Sequence, residues 1–297
     1  MSFLSKGRSV AIVKEASFAA ASPTFIDANY VDYTKADMST SIEKLSRNVI
    51  RNSMLKLEDI LGQETSSGSI EVEISGAVAG KTNGDVLLEN GLGVKVPQAT
   101  ATTATSGSTT TVVNVTSAAG LVVGQTLKVG VVGVFEYVQI KSITSLAITV
   151  EPALSAAPAA AQVVQGLCTY NANKPNQDVS SLAIRENLKP QSGSAIDYDY
   201  LGCMVSDVTF TYPVGAIATS SFSIAGAGFT LNATGTTPTL PCTTLTPVVG
   251  KNAYVKVGSA VLVAQDLSVK VGTTITDIKA LTTSGLTDKL GVEKAIS

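Results

Sequence analysis

Apolar and polar residues alternate along this chain in short runs broken by Gly, Asn, Ser and Pro, a pattern that predicts β-strands joined by turns. In residues 69–75, Ile70, Val72 and Ile74 alternate with Ser69, Glu71, Glu73 and Ser75, and Gly68 and Gly76 bracket the run. Successive side chains on a strand point to opposite faces, so the segment predicts one apolar and one polar face. Residues 204–212 repeat the pattern, with Val208, Phe210 and Tyr212 on one side and Asp207, Thr209 and Thr211 on the other, before Pro213 and Gly215 end it. Residues 221–225 follow, with Phe222 and Ile224 on one face, and the two runs together predict a hairpin. Near the end, residues 253–257, 260–264 and 267–271 predict a three-strand meander.

One segment competes for helix. In residues 41–61, Ile42, Leu45, Val49, Ile50, Met54, Leu57, Ile60 and Leu61 fall mostly three and four apart, and Ser41 is placed to cap them. Leu55 lies off that face, and the Arg-Asn-Val-Ile-Arg-Asn-Ser stretch at 47–53 is a poor helix interior. The expectation is a mixed loop with a short helix in part of it.

The pattern changes at Pro97. Residues 98–111 are an uncharged Ala/Thr/Ser/Gly run that reads as a linker or loop. Four β-like runs follow, at 111–116, 126–131, 135–140 and 147–150, and then an Ala/Pro-rich stretch at 152–161. Residues 97–165 therefore predict a small β module inserted into a larger β domain made of 1–96 and 166–297. Insertions are tolerated in exposed loops, so the module is expected to decorate an outer surface. The fold class predicted is all-β, with a short helix and this inserted module.

Composition narrows the function. At 297 residues the chain is long enough for a large core without disulfides or metals. Only 15% of its residues are charged, against about 25% in an average soluble protein. Either much of its surface is buried against other subunits, or a Thr/Ser/Gly-coated β surface accounts for the deficit. No run of about 18 apolar residues exists, so no transmembrane helix and no membrane partner are expected. The opening residues 1–6 lack the apolar stretch of a secretory leader, so export by that route is not expected either.

Histidine is absent, which removes the commonest general base and metal ligand at neutral pH. Tryptophan is absent as well, against a carbohydrate-binding reading. Cys168, Cys203 and Cys242 are odd in number and lack CxxC spacing, so buried free thiols are expected rather than a disulfide framework or zinc site. No phosphate-binding glycine loop or nucleophile elbow occurs; Gly226 and Gly228 read as a bulge or turn at a strand end. Asp27, Asp32 and Asp37 match no calcium loop. Asp197, Tyr198, Asp199 and Tyr200 read as a polar edge before a strand. Lys44, Arg47, Arg51 and Lys56 are accompanied by Glu43, Glu58 and Asp59, so tight binding to a phosphate backbone is not expected. No catalytic residue, cofactor or metal site is predicted.

The order of these pieces resembles the phage tail tube family of long, non-contractile tails. The resemblance rests on the Val-Lys-Glu-Ala-Ser-Phe segment at 13–18, the 27–37 stretch, the Ser-Ile-Glu-Lys-Leu-Ser-Arg-Asn segment at 41–48 and the 68–76 strand. It continues with the Gly-Cys strand entry within 197–206, the 222–228 strand and the 254–271 segment. It covers about 1–96 and 166–285. Two features depart from the family pattern: the insertion, and an end at Ser297 where relatives often continue with further strands.

The resemblance implies a tail-tube-like β-sandwich or barrel whose subunits form stacked rings, usually of six, around a conduit for DNA. It implies a structural virion protein made in the host cytoplasm, with copies of itself, tape measure, terminator and distal tail proteins as partners. Under that architecture Ile70, Val72, Ile74, Val208, Phe210 and Phe222 are expected in the subunit core, and Glu71, Glu73, Asp207, Thr209 and Thr211 in the lumen. Residues 38–67, with Glu43, Lys44, Arg47, Arg51, Lys56 and Glu58, are expected to reach a neighbouring subunit or ring. The competing readings are another virion part, such as a tail terminator or decoration protein, and an extracellular β-rich adhesin or surface-layer module.

Overall fold

The computed structural model describes residues 3–19, 23–47, 58–75, 84–131, 133–171, 180–190, 194–235, 238, 246–250, 255–257, 260–262, 266–278 and 288–296. The elements run β1 (Phe3–Lys14), β2 (Tyr30–Val31), β3 (Lys35–Leu45), β4 (Ile60–Glu73), α1 (Asp85–Leu92), β5 (Val94–Val96), β6 (Thr102–Thr103) and β7 (Val112–Asn114). Then come β8 (Thr126–Val131), β9 (Val134–Thr144), β10 (Ala147–Glu151), β11 (Val163–Gly166), β12 (Thr169–Asn171), β13 (Leu182–Pro190) and β14 (Ala195–Pro213). The chain ends with β15 (Thr219–Gly226), β16 (Gly228–Gly235), β17 (Val255–Val257), β18 (Ala260–Leu262), β19 (Asp266–Ile278) and β20 (Asp288–Ile296). The protein is predominantly β, with one short α-helix among the described residues.

Contacts divide the chain into two compact units: Met1–Gly91 with Asp178–Ser297, and Leu92–Gln177. The first holds a ten-stranded sheet that curls as a half-barrel. Its organising element is the 19-residue strand β14. The N-terminal half of β14 pairs with β13 and β16, and its C-terminal half with β15 and β19. All four pairings are antiparallel. One strand thus belongs to two ladders in succession: β2-β1-β13-β14-β16, and β20-β19-β14-β15-β4-β3.

The change of ladder falls at Gly202, whose φ is +60. A Cβ there would lie 2.9 Å from the Phe18 ring and 3.0 Å from Ala227 Cβ, so both backbone freedom and close packing require glycine. The Gly202 N–H donates to the buried Glu15 carboxylate at 3.1 Å. Glu15 also accepts the Ala19 N–H at 3.0 Å and the Ser181 hydroxyl. A charge taken out of water is held here by several donors, as burial demands.

The predicted hairpin of 204–212 with 221–225 is present as β14–β15, with Val208 opposite Phe222. The strand predicted at 69–75 is the end of β4, with Ile70 opposite Phe222. Ile70, Val72, Val208 and Phe222 are completely buried; Ile74 and Phe210 are half-buried. Helix α1 covers this apolar face. Gly91 is so close that an added Cβ would lie 2.4 Å from Val208 Cγ2. Asn90 is buried and held through both ends of its amide: its Nδ2 donates to the Ser180 carbonyl at 2.7 Å, and its Oδ1 accepts the Val205 N–H at 2.7 Å.

Three expectations are corrected. The described part of 41–61 is strand rather than the expected loop: Ser41 to Leu45 end β3 and Ile60 and Leu61 begin β4, while residues 48–57, and any helix expected there, lie outside the described residues. Pairing of β3 with β4 over most of their length outweighs the helical spacing. The α-helix among the described residues starts after Gly84 (φ +73), carries Asp85 in its first turn and stops at Gly93 (φ +125). Its Asn90-Gly91 pair resembles a turn, which hides it from a propensity reading. The expected C-terminal meander is instead a two-strand hairpin, β17–β18, while β19 joins β14 and β20. Asp197 to Tyr200 are not an edge before a strand; they lie inside β14.

The second unit, Leu92–Gln177, carries a six-stranded sheet in the order β6-β11-β8-β9-β10-β7. Its two end strands are joined to each other: Thr105 N–H donates to the Asn114 carbonyl at 2.7 Å, and Thr116 N–H to the Thr103 carbonyl at 3.0 Å. The sheet therefore closes on itself and leaves no free lateral edge there. Part of the stretch expected as a linker, Thr102–Thr103, is thus a strand. Alternation fills the interior with Val113, Leu127, Val129, Val138, Ile140, Ile148 and Val164. A two-stranded ribbon, β5–β12, lies beside it in the same unit. Buried Gln125, just before β8, donates to the carbonyls of Pro97 at 3.0 Å and Leu167 at 2.9 Å, tying together the segments that enter and leave the closed sheet.

Candidate assembly surface

The face of the β19-β14-β15-β4-β3 ladder opposite α1 is polar. Its rows follow from register. Thr209 lies opposite Ser221 and Lys270, Ser221 opposite Glu71, and Glu71 opposite Lys35. In the next rows Thr211 pairs with Thr219 and Ser268, and Thr219 with Glu73; Asp207 pairs with Ser223, and Ser223 with Ser69. The five residues expected on one polar face, Glu71, Glu73, Asp207, Thr209 and Thr211, thus stand on one face of one sheet. All five are half-buried. Lys270 Nζ lies 3.3 Å from Asp207, and Lys35 Nζ 3.2 Å from Asp37. The carboxylates of Asp37, Glu71, Glu73, Asp207 and Asp266 outnumber Lys35 and Lys270, so this face is net acidic.

This ladder ends at β3 on one side and β20 on the other, and among the described residues no strand pairs with either outer edge. Beyond the part of β4 that pairs with β15, β3 and β4 continue as a two-stranded arm. Glu43, Lys44, Arg47 and Glu58 are exposed on or beside the arm. Arg51 and Lys56 lie outside the described residues. The arm also exposes Ile42, Leu45, Ile60 and Leu61, side chains that a search for charged contacts passes over.

The other ladder holds most of the buried charge. Arg185 grips Asp199 with two hydrogen bonds, Nε to Oδ1 at 2.6 Å and a terminal nitrogen to Oδ2 at 2.7 Å. It also lies 3.4 Å from Asp197, which accepts a hydrogen bond from Asn187. The Phe25 ring covers the guanidinium at 4.3 Å. The hydrogen bond with Asp199 holds the Arg185 pKa above its ordinary value. On the opposite face Arg8 pairs with Glu186, and burial pushes the pKa of Glu186 up. Burial likewise raises Tyr200. These groups pair among themselves, so the cluster is structural.

Among the described residues, no group of three His, Cys, Asp or Glu is placed to hold a metal ion. Cys168 is half-buried and Cys203 buried, and Cys242 lies outside the described residues. Among the described residues no helix is long and apolar enough to cross a membrane.

The described residues thus form a predominantly β subunit with one polar sheet face. Residues 5–291 match the phage tail tube protein family, and the chain belongs to that family. Its members are structural components of the phage tail and not enzymes. No curated protein matches the chain.

Proposed function

We propose that this chain is the major subunit of the tail tube, forming stacked rings, hexameric as the family resemblance favours, around a conduit for DNA. The observation that carries the reading is the β20-to-β3 ladder, polar on one face from β19 to β3, packed against α1 at Val205 and Val208 on the other, and unpaired at both lateral edges among the described residues. Side-by-side pairing of β3 with β20 of a neighbour would satisfy both edges and close the ladders into a barrel. Glu71, Glu73, Asp207, Thr209 and Thr211 would then line the lumen. A net acidic, hydroxyl-rich wall repels phosphate and lets DNA pass without adhering. The arm at 38–67, with Glu43, Lys44, Arg47, Arg51, Lys56 and Glu58, reaches a neighbouring subunit or ring. The module at 97–165 decorates the outside. Tape measure, terminator and distal tail proteins are the expected partners in the virion.

Negative-stain electron microscopy of the purified protein at rising concentration tests this directly. Hollow tubes or stacked rings are expected, and their symmetry reports ring size. Monomers at every concentration, including with a tail-tip initiator added, would refute it. The lumen assignment is tested separately: tails carrying Glu71→Lys and Glu73→Lys are expected to assemble and to eject DNA more slowly.

A further inference from the structure

In the unit Leu92–Gln177 the six strands of the closed sheet alternate in direction all the way round. The chain enters before β6 and leaves after β11 at one end, where Gln125 ties Pro97 to Leu167. The β8–β9 hairpin therefore turns at the other end, together with the loops at 104–111 and 152–162. Those two loops and the turn at 132–133 contain no charged residue.

The hairpin tip departs from ordinary turn chemistry. Tight turns favour Gly, Asn and Asp, with polar residues where the chain meets water. Here the turn is bracketed by the register partners Val131 and Val134, which are 50% and 71% exposed. Val134 is the most exposed large apolar side chain among the described residues. Neither valine is needed for the turn, whose positive φ (+93) falls on Gly133.

Polarity then rises in steps away from the tip. Leu127, Val129 and Val138 fill the interior of the sheet, so the alternate positions face out. The outward pairs, counted from the tip, are Gly130 with Phe135, Lys128 with Tyr137, and Thr126 with Gln139. Lys128 Nζ lies 3.9 Å from the centre of the Phe135 ring. Tyr137, 59% exposed, is the most exposed aromatic ring among the described residues. The nearby carboxylates are engaged. Glu136 accepts the Ser155 N–H at 2.8 Å and the Ser155 hydroxyl, and Glu151 pairs with Lys141 at 2.9 Å.

An apolar tip, then an aromatic ring, then a tyrosine beside a lysine follows the rise in polarity from acyl chains to headgroups. Tyrosine favours that boundary, and lysine reaches from it towards phosphate. The depth matches too. Val134 and Tyr137 are three residues apart, about 10 Å along a strand. Interfacial segments sink about 5–10 Å into the boundary between headgroups and acyl chains. Neither valine offers the polar contact that orients a protein partner, and a lipid surface requires none. We infer that the β8–β9 tip of this module rests in the surface of a lipid bilayer. Val131 and Val134 enter the acyl region, and Tyr137 and Lys128 stay among the headgroups. Such contact needs no membrane-spanning helix. It goes beyond the stacked-ring reading and does not depend on it.

The chain contains no tryptophan, so a single introduced one reports its own surroundings. The test compares full-length Val134→Trp with Val123→Trp, whose position is 51% exposed in the loop before β8, at the opposite end of the closed sheet. With phosphatidylcholine vesicles, emission from position 134 is expected to shift to the blue and to be quenched by brominated acyl chains. Emission from position 123 is expected to stay unchanged. Val134→Asp is expected to keep its melting temperature and to float with vesicles at least tenfold less, at low and high salt alike. No shift at position 134, or an equal shift at position 123, would overturn the inference. Undiminished flotation of Val134→Asp would do the same. A blue shift at position 134 that appears without vesicles as protein concentration rises would assign the tip to a second copy and overturn it as well. Vesicle binding as described by a protein that never forms rings or tubes would leave this inference standing and refute only the stacked-ring reading.

Discussion

The two halves of β14 carry nearly the same local pattern and meet opposite fates. In the first half Asp197 and Asp199 alternate with Tyr198 and Tyr200; in the second Asp207 and Thr209 alternate with Val208 and Phe210. Asp197 and Asp199 are 2% and 7% exposed, whereas a third of the Asp207 side chain meets solvent. The difference lies in what covers each half. Over the first, Phe25 lies on the Arg185 guanidinium, and Tyr198 stacks on Phe229 at 5.7 Å on the other face. Over the second, α1 covers only the apolar face. A buried carboxylate needs a fixed cation and hydrogen bonds to persist, while a half-exposed one can use water. The same alternation therefore makes a structural lock in one half and an assembly surface in the other.

The sharpest way to break this comparison is a matched pair of cation deletions. Arg185→Ala leaves Asp199 and Asp197 buried without their cation and is expected to cost about 3–5 kcal/mol in chemical denaturation. Lys270→Ala, which removes the partner of Asp207, is expected to cost about 1 kcal/mol or less, and added salt should erase even that. Equal losses would show that the two halves do not differ as described.

The junction between the halves comes next. Gly202→Ala places a Cβ against Phe18 in a backbone conformation that disfavours it, with an expected cost of about 2–3 kcal/mol in the same assay. Asn90→Ala then tests the helix that covers the second half. It strips the Val205 N–H of its acceptor, and about 1–3 kcal/mol should be lost.

The smallest effect concerns pH. Burial alone raises the pKa of Glu64, between the arm and the sheet, above the ordinary carboxylate value. The folded state thus holds this proton more tightly than the unfolded chain does. Its contribution to stability is greatest at pH below the ordinary value and declines as pH rises through the raised one. Glu64→Gln should remove that decline, so the variant's advantage over the unsubstituted protein, read from melting temperature, grows across this window and then levels off.

Much of the fold was legible because alternation is a local signal. Residues 69–75 and 204–212 announced themselves as strands with one apolar face, and the hairpin partner at 221–225 followed. The expected core of Ile70, Val72, Val208 and Phe222 is buried for the same reason. What misled was local too. At the two ends of 41–61 the three-and-four spacing suggested a helical face, whereas Ile42, Leu45, Ile60 and Leu61 are exposed on a strand ribbon. Asn90-Gly91 mimics a turn, although both residues are buried against β14. Thr102–Thr103 looked like linker because nothing nearby reveals that Val163 and Val164 are its pairing partners.

By itself, the sequence determined that the chain is built of strands, which side of the best strands is apolar, and, through the order of its segments, the tail tube family. Those properties depend on neighbours one or two residues away, within reach of side-chain alternation. Only the tertiary structure decided that β14 serves two ladders, that Arg185 neutralises Asp199, and that Glu71 and Thr209 share a row across Ser221. Each of these joins residues far apart in the chain. Such pairings are settled by which surfaces bury together and which backbone groups find partners, and no local pattern carries that information.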